Sequence, residues 1–158
     1  MKTLIIYYSY TNNTKKLAEK IKNETNYDIF ELTPKNPYPE DYNEVVNLGQ
    51  YEVDNNVRKE IKNVPNISNY DRLIILTPTW WYKPAPVITT YLTDTNFVKK
   101  EVIPVMTNAG WPGTVIKDMT EIAQKNGAKV SHAKEFNFNM NKMSTNEIEF
   151  TEWINKIK

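Results

Sequence analysis

Short apolar segments alternate five times with amphipathic segments along this chain, and this alternation limits the fold more than any other feature. Strands are predicted at residues 2–8, 27–32, 71–77, 101–107 and 129–138, and helices at 13–24, 41–62, 87–94, 114–126 and 145–157. Strands that alternate with helices form a parallel sheet, because each connecting helix packs back onto that sheet. We therefore predict a three-layer α/β fold, in which a doubly wound, five-stranded parallel sheet lies between two layers of helices.

Two residues interrupt these patterns. Pro104 lies inside the fourth predicted strand, and proline has no N–H group to donate to a neighbouring strand. We therefore expect a strand edge or a bulge at this position. Gly49 lies within the predicted helix 41–62, where it either weakens the helix or marks a close contact.

Length and composition exclude several classes of protein. The 158 residues contain no repeat or linker-like stretch, so we predict a single domain over residues 1–158. With no cysteine and one histidine, His132, the chain cannot form disulfides, thiolate metal sites or polyhistidine metal clusters. The net charge of +1 provides no basic surface for nucleic acid, and no apolar run approaches the ~20 residues of a membrane span. We expect a cytoplasmic protein with no metal site and no nucleic-acid or membrane partner.

The loops after the first, third and fourth strands form the candidate ligand site, because doubly wound sheets bind ligands at the carboxyl ends of their strands. The first loop, SYTNNT at 9–14, combines hydroxyl and amide side chains with the free N–H groups of a helix N-terminus. This combination can bind a phosphate group. The loop lacks the glycines of the P-loop and of the dinucleotide-binding fingerprint. Taken alone, the same residues are also those that cap ordinary helices.

The second loop, at 78–86, contains three adjacent aromatic residues, Trp80, Trp81 and Tyr82. Adjacent side chains of a loop cannot all point into the core, so part of this aromatic surface is available to a planar ligand. The prolines of the loop stiffen it, which favours a preorganised site. The alternative is that Trp80 and Trp81 pack only against the neighbouring helices.

The third loop, at 108–113, contains two of the four glycines of the chain. Glycine lets the backbone approach a ligand closely, so N–H groups here could bond the polar edge of a heterocycle. By itself, the loop could equally be a simple turn before the next helix. Taken together, however, the three loops describe one ligand that carries a phosphate and a flat ring system, and flavin mononucleotide (FMN) fits that description.

The same segments resemble the flavodoxin-like superfamily, in particular the short, single-domain bacterial flavodoxins. LIIYYSYTNNT is similar to the first strand and phosphate loop of that family, and NPYPEDYNEVV and NYDRLIILTPTWWYKPAPV are similar to its middle segment. TNAGWPGTVIKDM resembles the third flavin loop with its helix, and EWINKI resembles the closing helix. The resemblance covers nearly the whole chain and implies a sheet of strand order 2-1-3-4-5 that binds FMN noncovalently.

Carried over position by position, the resemblance implies three groups of FMN-binding residues and no catalytic residue. The phosphate group would be held by Ser9, Tyr10, Thr11, Asn12, Asn13 and Thr14. The ring would be flanked by Pro78, Thr79, Trp80, Trp81 and Tyr82. The other edge of the ring would meet Thr107, Asn108, Ala109 and Gly110.

Three departures from the flavodoxin pattern affect the expected function. Asn12 replaces a glycine of the phosphate loop, and asparagine tolerates the left-handed backbone conformation. Trp81 and Tyr82 occupy the positions where the family has a glycine, so a flip of the peptide bond toward reduced flavin becomes costly. The near-neutral net charge of +1 also differs from the acidic character of flavodoxins.

Two functions remain compatible with these observations. The resemblance favours an FMN-dependent electron carrier that serves redox partner proteins, namely a flavin or iron–sulfur reductase and an acceptor. The alternative is a two-electron oxidoreductase that takes hydride from NAD(P)H and reduces a small quinone-like or nitro-aromatic acceptor. The departures favour this alternative, and a monomer or a homodimer would suit either function. Candidate walls of an acceptor pocket are Tyr38, Tyr42, Trp81, Tyr82 and Trp111.

Overall fold

A computed structural model describes all 158 residues and contains a mainly parallel sheet covered by helices on both faces. The helices are Asn13–Thr25 (α1), Tyr42–Asp54 (α2), Pro86–Asp94 (α3), Val115–Lys125 (α4) and Glu147–Ile157 (α5). The strands are Thr3–Tyr7 (β1), Asp28–Glu31 (β2), Arg72–Trp80 (β3), Lys83–Pro84 (β4), Glu101–Asn108 (β5), Lys129–Val130 (β6), Lys134–Asn139 (β7) and Lys142–Met143 (β8). None of the five helices combines the length and apolar character that crossing a membrane requires.

The parallel part of the sheet has five positions. The spatial order is β2-β1-β3-β5, and β6 and β7 together fill the fifth position beside β5. This is the expected order 2-1-3-4-5, so the doubly wound α/β class is confirmed. Two short antiparallel strands were not predicted: β4 pairs with β3, and β8 pairs with β7.

The central strands are buried on both faces, which explains their nearly continuous apolar sequences. In β1, Leu4 and Ile6 belong to one core cluster, whereas Ile5 and Tyr7 belong to the other. Helices α1 and α5 cover the second cluster, and α2, α3 and α4 cover the first. The carboxyl ends of β1, β3 and β5 therefore meet at one edge of a rigid, doubly covered sheet.

Pro104 lies in the interior of β5. Of the two expectations, a strand edge or a bulge, the strand edge is therefore wrong. Its neighbour on one side is Ile75 of β3. On the other side, the carbonyl oxygen of Val102 accepts a hydrogen bond from the N–H of Ser131 at 3.2 Å. Polar groups two residues apart point to the same side of a parallel strand, so the nitrogen of Pro104 faces the gap between β6 and β7. The interruption between β6 and β7 therefore accommodates the missing N–H group of the proline.

The prediction of a helix over 41–62 was wrong after residue 54. Asn55 ends α2, and Asn56 adopts a left-handed conformation with φ of 49°. Beyond it, Ile61 forms an antiparallel bridge with Pro34, and the N–H of Lys62 donates to the carbonyl of Thr33 at 2.9 Å. Residues 58–62 therefore run as an extended segment beside the proline-rich loop. Apolar residues such as Ile61 are half-buried by this pairing, which their helical spacing in the sequence does not reveal.

Candidate functional site

The three predicted loops meet at the carboxyl edge of the sheet and enclose a cleft of about 460 Å³. This volume lies in the range of small-molecule sites. Hydroxyl and amide groups line one part of the cleft, and aromatic and apolar side chains line the rest. The lining residues are Thr11, Asn13, Pro78, Thr79, Trp81, Tyr82, Thr107, Asn108, Ala109, Trp111, Phe138 and Met140.

The first loop ends at the N-terminus of α1. Asn12 precedes the helix with φ of 73°, so the left-handed conformation predicted to be tolerable for this asparagine is the one it adopts. The side-chain oxygen of Ser9 accepts a hydrogen bond from the N–H of Lys15 at 3.1 Å. Ser9 therefore stabilises the first turn of the helix, while the helix dipole makes this end of α1 favourable for an anion.

Two side chains of the first loop connect it to neighbouring segments. The hydroxyls of Thr14 and Thr107 share a hydrogen bond of 2.8 Å, and both side chains are buried. The amide nitrogen of Asn13 donates to the carbonyl oxygen of Met140 at 2.8 Å. These bonds tie the loop to the end of β5 and to the turn between β7 and β8, which fixes the polar part of the cleft.

Two polar atoms of the cleft-lining asparagines are buried without a hydrogen-bond partner: Oδ1 of Asn13 and Nδ2 of Asn108. Native proteins satisfy nearly all buried polar atoms, so unpaired ones at a cleft mark contacts that a ligand can supply. The other atom of each amide is engaged; Oδ1 of Asn108, for example, accepts from the N–H of Gly110 at 2.6 Å. The pair thus offers a ligand one acceptor and one donor in fixed positions.

The second loop is a β-hairpin, which corrects its prediction as an irregular loop. Trp80 pairs with Lys83, so Trp81 and Tyr82 form a two-residue turn. Both turn residues have positive φ, 48° for Trp81 and 65° for Tyr82. This is the geometry of a type I′ turn, which normally takes Asn-Gly. Bulky residues in this conformation cost about 1 kcal/mol or more each, so the hairpin carries backbone strain at the edge of the cleft.

Neighbouring segments hold this strained turn in place. The hydroxyl of Thr77 accepts from the N–H of Ala85 at 2.9 Å, and the carbonyl of Tyr82 accepts from the N–H of Thr114 at 3.0 Å. Gly113 lies against the turn so closely that a Cβ there would be 2.3 Å from the Tyr82 oxygen. The third loop therefore supports the second, and its glycine is needed for close backbone contact.

Behind the turn, Trp80 is buried in an aromatic cluster with Tyr8, Tyr10, Tyr38 and Trp81. Its ring centroid lies 4.9 Å from that of Tyr38 and 5.4 Å from that of Trp81. Burial, with the neighbouring Glu52 carboxylate, raises the pKa of Tyr38 well above its ordinary value, and burial also raises that of Tyr8. Both phenols are therefore neutral at physiological pH, and the cluster acts as an apolar support for the hairpin.

The structure brings nine of the fifteen predicted binding residues to the lining of the cleft. The other six do not line it: Ser9, Tyr10, Asn12, Thr14, Trp80 and Gly110. Most of them shape the loops, as the bonds of Ser9 and Thr14 and the backbone of Asn12 show. Among the candidate stacking walls, Trp81, Tyr82 and Trp111 line the cleft, Tyr38 lies in the cluster behind it, and Tyr42 is 78% exposed on α2.

Phe138 and Met140 also line the cleft and were not predicted. They come from β7 and from the turn before β8, where Met140 adopts φ of 55°. A sequence signal existed, because the fifth parallel strand also ends at the carboxyl edge, beside the fourth. The predicted site comprised only the loops after strands one, three and four.

A larger cleft of about 1120 Å³ lies between the segments 33–37 and 58–64 and the end of α3. Its charged side chains are largely engaged with one another, as in the ion pairs Lys35–Glu60 and Arg58–Asp94. It contains none of the predicted binding residues. The smaller cleft at the carboxyl edge is therefore the better candidate for function.

Comparisons with known proteins agree with this geometry. The sequence profile of a family described as Flavodoxin matches residues 2–157. The chain belongs to the flavodoxin family. The predicted family is thus confirmed, and the prediction of FMN as cofactor agrees with it. A comparison with curated proteins gives no match.

Several solved structures share the flavodoxin fold of this chain. A flavoprotein from Lactobacillus acidophilus, in complex with FMN, is 27% identical with a TM-score of 0.75, covering 96% of this chain and 97% of its own. A Bacteroides eggerthii protein assigned as a flavoprotein is 26% identical with a TM-score of 0.78, covering 99% and 97%. A flavodoxin from Fusobacterium nucleatum, bound to FMN, is 19% identical with a TM-score of 0.56, covering 99% and 97%.

The residues of this flavodoxin-family cleft fit the chemistry of FMN. An unpaired acceptor on Asn13 suits a hydroxyl of the ribityl chain, and an unpaired donor on Asn108 suits a carbonyl or nitrogen of the ring. The N-terminus of α1 suits the phosphate. Trp81 and Tyr82 provide aromatic surface for a flat ring.

Proposed function

We propose that this chain is an electron-transfer protein that holds FMN in the cleft at the carboxyl edge and exchanges electrons with redox partner proteins. The observation that carries the proposal is the convergence of the three loops on one cleft, with a helix N-terminus beside it and aromatic walls. A ligand with a phosphate, a polyhydroxyl chain and a flat ring uses all of these features.

The residues have distinct tasks in this proposal. The N-terminus of α1 and the hydroxyl of Thr11 hold the phosphate, with no charged side chain among the residues that line the cleft. Asn13 and Asn108 orient the ribityl chain and the ring through the amide atoms that are otherwise unpaired. Trp81, on the strained hairpin, forms one wall. FMN itself supplies the redox chemistry, and the protein sets its position and surroundings.

The FMN complexes of the Lactobacillus acidophilus flavoprotein and the Fusobacterium nucleatum flavodoxin support this assignment. The partners we propose are a flavin or iron–sulfur reductase as electron donor and a second redox protein as acceptor. Because the cleft lining is uncharged, we expect any electrostatic steering of such partners to come from residues outside it.

One observation favours the second candidate, an NAD(P)H-dependent oxidoreductase. Tyr82 and Trp111 line the cleft and yet are 55% and 68% exposed. An uncharged aromatic rim of this kind suits a neutral planar acceptor, such as a quinone-like or nitro-aromatic molecule, stacked over the ring of the flavin. Neither candidate function requires a catalytic side chain, because the flavin carries the electrons.

Stepwise anaerobic reduction of the FMN-loaded protein, followed by absorbance, tests the proposal. An electron carrier is expected to take up its electrons in two separate one-electron steps. Passage from oxidised to fully reduced flavin in a single step would favour the two-electron oxidoreductase. Failure of the purified protein to take up FMN would overturn both candidates.

A further inference from the structure

We infer that Gly49, in the middle of α2, is a positioning residue that seats Trp81 and thereby sets one wall of the FMN cleft. The inference rests on the proposed function for its effect on FMN. Gly49 is buried and is the one glycine of the chain that lies within a helix. The other three glycines, at 110, 113 and 127, have positive φ, so their backbone conformation explains them. Gly49 has helical geometry, where glycine is less favourable than alanine, and it therefore needs another explanation.

That explanation is space for the indole of Trp81. A Cβ built on Gly49 would lie 2.3 Å from Cζ3 and 2.6 Å from Cη2 of Trp81. It would also lie 3.0 Å from Nε1 of Trp80. Cβ atoms are essentially never closer than 3.0 Å to such neighbours, so a methyl group at this position requires the Trp81 indole to move.

The surroundings determine which part of the structure gives way. The backbone of the turn is held by the hydrogen bond from Thr114 to the carbonyl of Tyr82 and by the close contact with Gly113. Trp80 is buried and packs edge-on against Trp81, with the two ring centroids 5.4 Å apart. Trp81 is only half-buried and lines the cleft, so its indole is the group with room to shift. Helix α2 therefore influences the cofactor site, because the absence of a side chain at Gly49 leaves room for the indole of Trp81.

The substitution Gly49→Ala separates this role from helix propensity. Propensity alone predicts a more stable apoprotein with unchanged FMN binding. Displacement of Trp81 instead predicts that the dissociation constant for FMN rises about tenfold or more, the usual scale of overpacking effects. It also predicts an altered near-ultraviolet circular dichroism spectrum of the apoprotein, because the indole environment changes. The control is Asn47→Ala, at an exposed position of the same helix, which should change neither quantity.

A second variant shows whether the effect passes through Trp81. Trp81→Phe removes the indole atoms that a Cβ at 49 would meet, so Gly49→Ala should have no further effect on FMN affinity in that background. Wild-type FMN affinity and spectrum in Gly49→Ala would overturn the inference, and so would a tenfold loss that persists beside Trp81→Phe. If the wild-type protein binds no FMN, the proposed function fails, while the spectra of the apoproteins still decide the seating of Trp81.

Discussion

The two edges of the central sheet differ in whether their buried polar side chains have hydrogen-bond partners. At the amino edge, where β3 begins, Arg72 is 8% exposed and its guanidinium has no carboxylate partner. It donates to the hydroxyl of Thr3 at 3.1 Å, to that of Tyr27 at 2.9 Å and to the carbonyl of Ile157. Nearby, the amine of Lys100 donates to the carbonyls of Ile67 and Tyr70 at 2.9 and 2.7 Å. These contacts join the N-terminal strand, the loops and the end of the last helix.

At the carboxyl edge, polar atoms of Asn13 and Asn108 are buried without partners, and Trp81 and Tyr82 both have positive φ. Unmet hydrogen bonds and a strained turn are unfavourable in the free protein. Their occurrence together at one cleft suits a preorganised binding site, because a ligand can supply the missing partners of Asn13 and Asn108. The amino edge therefore stabilises the fold, whereas the carboxyl edge is arranged for the ligand that we propose.

Alkaline pH should produce the largest effect, because it acts on the buried phenols that support the carboxyl edge and helix α3. Burial raises the pKa of Tyr8 above its ordinary value of 10.0 and that of Tyr91 to about 12. The unfolded chain then releases protons that the folded chain retains. The stabilisation is therefore fully present below about pH 10 and is lost between about pH 10 and about pH 12, with a slope that approaches about 3 kcal/mol per pH unit for these two groups together.

Denaturant unfolding at a series of pH values, with phenolate absorbance as a second readout, checks this expectation. Tyr7, whose phenol bonds Glu31, and Tyr38 have pKa values raised in the same direction and add to the loss. A free energy of unfolding that stays constant between about pH 9 and pH 11 would contradict the assignment.

Arg72→Ala tests the amino edge. The change removes a buried guanidinium and leaves the carbonyl of Ile157 and the hydroxyls of Thr3 and Tyr27 without their donor. We expect the free energy of unfolding to fall by about 3 kcal/mol, with FMN affinity of the folded protein unchanged.

The other arginine of the chain gives a matched control. Arg58 is exposed and pairs with Asp94 at the surface, so Arg58→Ala should lower stability by less than about 1 kcal/mol. Equal losses from the two substitutions, measured by denaturant unfolding, would show that the contacts of Arg72 do not hold the amino edge together.

Alternation and loop position predict much of this molecule, and the failures have identifiable physical causes. The parallel sheet and the convergence of the three loops follow from rules that hold for any doubly wound sheet, whereas the strand order was implied by the resemblance to flavodoxins. The hairpin was not predicted because Trp81 and Tyr82 are not turn formers; packing against Gly49 and Gly113 and the hydrogen bond from Thr114 to Tyr82 keep them there. Helix α2 was predicted too long because Ile61 keeps helical spacing while pairing with Pro34.

Substitution of both Thr11 and Thr14 by alanine tests the polar end of the cleft. Thr11 lines the cleft, and Thr14 shares a hydroxyl hydrogen bond with Thr107, which lines it too. We expect FMN binding to weaken by about 2 kcal/mol, because the contact of Thr11 with the phosphate and the bond by which Thr14 fixes the loop to Thr107 are both lost. The control is Thr25→Ala at the far end of α1, which removes a bond to the carbonyl of Ile21 and one from the N–H of Tyr27, both away from the cleft. Full retention of FMN by the double variant after dialysis would show that the phosphate is bound elsewhere.

The smallest expected effect is a gain in stability at the carboxyl edge. Tyr82→Gly relieves the positive φ of 65° at a position where the side chain is mostly exposed. Glycine adopts this conformation readily, so the apoprotein should become more stable by about 1 kcal/mol, while FMN binding weakens because one aromatic wall is lost. Tyr82→Phe keeps both the strain and the wall, and should leave thermal unfolding and FMN affinity as they are. If Tyr82→Gly lowers the melting temperature instead, the turn is not strained. The two edges then differ only in the unpaired polar atoms of the carboxyl edge.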